Sequence, residues 1–244
     1  MKILVINPNT TASMTAKIGE AASRAASPGT QIMAVNPSYG PSSIEGYYDE
    51  VFAIPGMIEE IHKHPDADAF IIACFDDTGL DAARCATSAP VIGIGEAGFH
   101  LVSFVAGKFG VVTTLARSIP AIEHNLVKYG LASRCSGVRA SEVAVLELEL
   151  PGSNACLKIS AEIGRSIAED KAEAIVLGCA GMADLAHQLG EEHRVPVLDG
   201  VSCAVKVAEG LVGLGMKTSR TGGYAVPRAK TYLGELAKFS PKAR

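Results

Sequence analysis

One pattern in this chain occurs twice. Residues 66–102 read DADAFIIACFDDTGLDAARCATSAPVIGIGEAGFHLV, and residues 171–207 read KAEAIVLGCAGMADLAHQLGEEHRVPVLDGVSCAVKV. In each, an acid and an alanine lead into an apolar run that ends in cysteine. A helix-like stretch follows, then Pro-Val, a short apolar run, a glycine and another helix-like stretch. Cys74 to Pro90 spans 16 residues and Cys179 to Pro196 spans 17. The openings also match, KILVINPNTTASM against KFGVVTTLARSIP. A chain that repeats a pattern of this length folds as two similar units, as an internal duplication would leave it.

The units are of one kind. Short β-rich runs at 2–7, 30–35, 69–73 and 90–94 are followed by a second set at 109–113, about 136–140, 173–177 and 195–198. Helix-like stretches separate them, near 11–26, 48–63, 79–88, 96–107, 117–130, 153–170, 182–191 and 200–213. Strands alternating with helices give parallel sheets covered on both faces, joined by right-handed crossovers. The expected fold class is therefore α/β. Two similar Rossmann-like domains, related by a pseudo-twofold axis, would hold the active site in the cleft between them. The first domain is expected over 1–100 and the second over 101–206, with 207–244 packing back on the first. Pro227 predicts a last helix over 226–238, as a first-turn proline.

Composition narrows the function. With 48% hydrophobic and 20% charged residues, the 244-residue chain can bury a sizeable core, and a net charge of −4 leaves no footprint for nucleic acid. No apolar run is long enough to span a membrane. The first apolar run ends in Asn7-Pro8-Asn9, too early for a signal-peptide core. A cytoplasmic location is expected, with the six cysteines as thiols. No CxxC occurs and the six histidines are scattered, so no metal site is expected.

In parallel sheets, ligands bind beyond the carboxyl ends of the strands. Cys74 and Cys179 lie there, one in each unit. If the units face each other, both sulfurs enter one cleft from opposite sides. That arrangement suits removal of a proton from one face of a carbon and its return on the other, by a thiolate base and a thiol acid. Each cysteine precedes a predicted helix start, whose free amides stabilise a thiolate or an enolate-like oxygen. Asp76 and Asp77 oppose this if they point at the sulfur, and at least one is expected to cap a helix instead. Cys85, Cys135, Cys156 and Cys203 lack such a pairing and receive no role.

Other motifs carry less. GIGEAG (93–98) fits the dinucleotide fingerprint but follows the fourth strand rather than the first, and no acid lies about 20 residues on. Glu96 is expected to cap or face solvent. The loop NPSYGPSSIEGYYDE (36–50), at the cleft end, reads equally as an ordinary surface loop or a substrate lid. Tyr224, in TSRTGGYAVP, is a candidate to reach the pocket.

These residues carry a resemblance. INPNT, CFDDTGL, PVIGIGEA, VVTT and IVLGCAGM followed by VPVLDGV resemble the hydantoin racemase family of the aspartate/glutamate racemase superfamily, over essentially the whole chain. The resemblance implies a cofactor-independent isomerase with two catalytic cysteines, here Cys74 and Cys179. It implies ring binding by Asn9, Ile44, Phe75, Thr113, Thr114 and Ala180, several through backbone groups, and a homo-oligomer. Where many superfamily members have threonine this chain has Ala180, and where the amino-acid racemases have histidine it has Gly181. The first departure loses a hydroxyl contact, and the second leaves no charged group to aid a zwitterion, which favours a neutral ring. The expected function is racemisation of 5-substituted hydantoins, whose acidic ring proton needs no pyridoxal phosphate. Allantoin, the ureido-substituted hydantoin, is the nearest alternative. A decarboxylase, another isomerase of the superfamily or a small-molecule binding protein stands further off.

Overall fold

The apolar runs become eight short strands in two separate sheets; the computed structural model describes residues 1–150 and 152–242. The first sheet holds β1 (Lys2–Ile6), β2 (Gln31–Val35), β3 (Ala69–Ile72) and β4 (Val91–Gly93), in the order β2-β1-β3-β4. The second holds β5 (Phe109–Thr113), β6 (Cys135–Ala140), β7 (Ala174–Gly178) and β8 (Val197–Asp199), in the equivalent order β6-β5-β7-β8. Every pairing is parallel. Between the strands run α1 (Ala12–Ala25), α2 (Tyr47–Lys63), α3 (Leu80–Ala86), α4 (Ile94–Val102), α5 (Ile119–Lys128), α6 (Ala155–Glu169), α7 (Ala186–His193) and α8 (Gly200–Gly213). This is the two-sheet α/β fold that the repeat predicts.

Side chains alternate across a strand, and both faces are buried. Ile3 and Val5 of β1, with Ala69 and Ile71 of β3, enter a core shared with Phe109 and Val111 of β5 and Ala174 and Val176 of β7. Leu4, Ile6, Phe70 and Ile72 face the other way, onto Met57 and Ile61 of α2 and Leu80 and Ala83 of α3. Ile175 and Leu177 likewise turn outward, onto Ile159 and Ile163 of α6 and Leu189 of α7. Each such side chain contributes about 1.5–3 kcal/mol on burial.

The shared core depends on two helices crossing between the sheets. α8 packs on β3 and β4 of the first sheet, and α4 packs on β7 and β8 of the second. The two helices meet each other at glycines. A Cβ on Gly98 would lie 2.9 Å from a methyl of Val176, and one on Gly200 would overlap the carbonyl oxygen of Ile94. Close approach is what these glycines provide.

After α8 the chain follows the first sheet's side of the molecule. Thr218 donates from its amide to the Ser88 carbonyl (3.0 Å) and from its hydroxyl to the Ala89 carbonyl (2.8 Å). The Arg220 guanidinium donates to the carbonyls of Arg84, Cys85 and Thr87, at 2.7–2.9 Å, closing the end of α3. The helix expected over 226–238 does not form. Two 3₁₀ turns, Gly222–Tyr224 and Gly234–Phe239, flank irregular chain. Leu233 and Leu236 stay 83% and 52% exposed, so no buried face offsets the cost of nucleating a helix. Among the described residues, no helix is long and apolar enough to cross a membrane.

Candidate active site

The loops that leave the carboxyl ends of β1, β3, β5 and β7 meet around one cavity of about 30 Å³. Both repeat cysteines line it. Cys74 stands two residues beyond β3, and Cys179 follows directly on β7. Asn9, Ile44, Phe75, Thr114 and Ala180 line it too. Phe75 borders the cavity while its ring packs edge-on against Phe99, with centroids 5.2 Å apart. Thr113 is not brought in. It ends β5 fully inside, and its hydroxyl donates to the Gly178 carbonyl at 3.0 Å. Tyr224 does not reach the pocket either: its hydroxyl donates to Asp81 (3.0 Å) and its ring lies under Arg84.

Met14, Asp76, Ser118 and Val145 also line the cavity, with Asn7, Pro8, Ala73 and Gly178. The repeat gives no signal for Ser118, because its counterpart Ala12 at the start of α1 is exposed and does not line the cavity. Val145 lies in the connection between β6 and α6, the counterpart of the β2–α2 connection that carries Ile44.

The surroundings of the sulfurs differ from the expectation. Neither cysteine sits at the start of an α-helix: α3 begins at Leu80 and α7 at Ala186, with turns between. Asp77 at φ +52° and Gly79 at φ +66° bend the first of these turns. Cys74 instead accepts from the Thr78 hydroxyl (3.2 Å) and the Asp76 amide. Burial, then the Asp76 charge, pushes its thiol well above the ordinary value, against those two donors. Burial pushes Cys179 up to about 12, with Asp76, Glu45 and Glu149 adding to it and the Gly181 amide opposing. Desolvation thus outweighs local donors at both sulfurs.

Asp76 and Asp77 part company. Asp77 turns inward and accepts from the amides of Gly95 (2.9 Å) and Glu96 (2.8 Å), capping α4, and from the Tyr129 hydroxyl (2.7 Å). A side chain on Gly93 would overlap this carboxylate, and one on Gly95 would overlap the Phe75 carbonyl. The glycines of GIGEAG therefore admit the protein's own anion to the helix start where a dinucleotide would place its phosphates. Burial pushes Asp77 up to about 7, against its three donors. Asp76 turns into the cavity. Its carbonyl accepts from the Asn125 side chain (2.8 Å), and burial, then the Glu50 and Asp77 charges, push its carboxyl up to about 7.

The second half therefore holds the Cys74 loop directly. Asn125 and Lys128 of α5, and Tyr129 just past it, reach Asp76, Asp81 and Asp77. In the other direction, the loop 36–46 reaches the cavity; residues 47–50 of the expected loop are already the start of α2. Ile44 lines the cavity, and the Glu45 carboxylate accepts from the Val145 amide at 3.2 Å.

With this geometry in place, the relatives are informative. Residues 3–208 match the model of the Asp/Glu/Hydantoin racemase family. The chain belongs to this racemase family. A hydantoin racemase of Pseudomonas sp. (strain NS671) is 48% identical to the racemase over 241 residues, covering 98% of this chain and 97% of that one. One from Rhizobium meliloti is 47% identical, over 96% of this chain and 98% of that one. Among solved structures, an allantoin racemase from Klebsiella pneumoniae superposes on the racemase with a TM-score of 0.96, at 46% identity, covering 99% of this chain and 100% of that one.

Proposed function

We propose that this racemase inverts the stereocentre of 5-substituted hydantoins by two-base proton exchange between Cys74 and Cys179. The observation that carries the reading is that the two cysteines, one from each sheet's equivalent strand, line a single cavity. A hydantoin carbon between a carbonyl and a ring nitrogen loses its proton to give a planar enolate. One sulfur takes the proton and the other returns one to the opposite face, so two like groups serve both directions. The Asn9 side chain supports ring binding: its oxygen accepts from Asn7 and from the Thr11 amide, while among the described residues its NH₂ group donates only to the Met14 sulfur, at 3.4 Å. That leaves a donor for a ring carbonyl. Thr114 and Ala180 line the same cavity. Thr113 acts from behind, through Gly178.

Allantoin is the second reading, because the protein from Klebsiella pneumoniae named for it is as similar as the hydantoin racemases. Both substrates share the ring and the mechanism. The test follows a single-enantiomer hydantoin and (S)-allantoin in heavy water by chiral chromatography and proton NMR. Loss of optical purity with deuterium at the stereocentre is the expected result. Cys74→Ser and Cys179→Ser should each lower it by about 10²–10⁴-fold. Near-wild-type racemisation by either variant would rule out the two-base scheme.

A further inference from the structure

A reaction run by one thiolate and one thiol needs one proton fewer than two thiols carry, and resting on the proposed function, the question is where that proton goes. Both sulfurs lie in a cavity that burial makes hostile to thiolates. We propose that the Asp76 carboxylate, which shares the cavity with both cysteines, is the acceptor that stores this proton while the substrate ring is bound.

The placement of Asp76 singles it out. It lines the same cavity as Cys74 and Cys179. Its amide serves the Cys74 sulfur, and its charge acts on both sulfurs. No hydrogen bond or ion pair to its carboxylate is found among the described residues, whereas its neighbour Asp77 has three donors. The groups facing it are Cys74 and Asp77 from its own loop, Glu50 from α2, Cys179 from the second half, and neutral Asn125 from α5. Glu50 itself is pushed up by burial, and one of its oxygens is buried without a partner. The cavity wall thus has acidic groups and no paired cation at Asp76.

Asp76, pushed up to about 7, ionises well before either thiol. The empty site near neutral pH therefore carries its negative charge on oxygen, with both sulfurs as thiols. In the storage step the S–H bond breaks and its electron pair stays on sulfur. An O–H bond forms on Asp76, and the net charge of the cavity does not change. Neutral Asp76 no longer repels the thiolate. A bound ring favours this state because a protonated carboxyl donates to a ring carbonyl and a carboxylate does not. The same donor then faces the oxygen that gains charge in the enolate.

The test compares two pH profiles of the whole protein. The profile of kcat/KM for a hydantoin should rise through an apparent pKa of about 7, the ionisation of Asp76 in the empty enzyme. Iodoacetamide alkylation of Cys74 and Cys179 in the empty enzyme should rise at least about two pH units higher. Coincidence of the two profiles would show a thiolate already present in the empty site and would overturn the proposal. Asp76→Asn should move the activity limb up by at least about one unit, while Asp76→Glu keeps it within about half a unit. An Asn variant whose limb stays in place also overturns it. A wild-type protein with no racemisation at any pH would instead refute the proposed function itself.

Discussion

The tie between Tyr129 and Asp77 can be broken with one atom. Tyr129→Phe keeps the ring, which packs against Phe99 and His100, and deletes the hydroxyl that donates to Asp77 at 2.7 Å. Asp77 is 6% exposed and would keep only the two amides of α4. Burial raises its carboxyl from 3.8 to about 7, so ionising it costs the fold stability as pH rises through about 7, and this cost is absent at pH below 3.8. Tyr129 is one of three donors that limit the cost. At about pH 8.5, with Asp77 ionised, the lost bond is to a charged group and is worth about 2 kcal/mol. For a chain of this size that is a fall in Tm of about 4–8 °C. At about pH 5.5 the carboxyl is neutral and the bond is worth about 1 kcal/mol, so the fall is about half as large. Thermal melts of both proteins at the two pH values measure the difference. Equal falls, or a fall under about 1 °C at the higher pH, would refute the assignment of Asp77 as an ionised group held by Tyr129.

Two further substitutions separate packing from binding. Gly200→Ala puts a methyl group onto the Ile94 carbonyl where α8 meets α4, and backbone cannot yield as a side chain can. It should cost at least about 3 kcal/mol, seen as a large drop in urea midpoint, and a cost below 1 kcal/mol would mean that the helices separate easily. Thr113→Val removes the hydroxyl bound to Gly178 but no cavity-lining group, so it should cost about 1 kcal/mol of stability and leave KM within about twofold. A rise in KM well beyond that, with unchanged stability, would restore Thr113 as a ring contact.

The fold was legible because its signal is repeated and periodic. Ile3, Val5, Ile71, Val111 and Val176 recur at alternate positions in runs bounded by loop residues, and two such sets of four strands admit few topologies. Cys74 and Cys179 were legible for the same reason, since a matching place in a repeat is a spatial statement. Neighbours within one loop were not. Asp76 and Asp77 are adjacent and chemically identical, and a positive φ at Asp77 decides which enters the cavity. Thr113 and Thr114 pose the same problem: Thr113 ends β5 with its hydroxyl on Gly178, and Thr114, one residue past the strand, lines the cavity. GIGEAG and Pro227 are correct local signals with a different tertiary outcome: an internal carboxylate fills the first, and no apolar face supports a helix after the second.

The crossing of α4 and α8 has a mechanical consequence. Because each of these helices lies on the opposite sheet, the two sheets cannot part like jaws without opening the core that holds Phe99, Val176 and Val205 together. A substrate ring therefore reaches the cysteines past the rim of the cavity rather than between parting sheets. There the loop 36–46 meets the β6–α6 connection through the Glu45 carboxylate, which accepts from the Val145 amide at 3.2 Å, and Lys17 donates to the Leu148 carbonyl at 3.3 Å. The packed core holds the two sulfurs in register, and hydrogen-bonded loops close the rim over them.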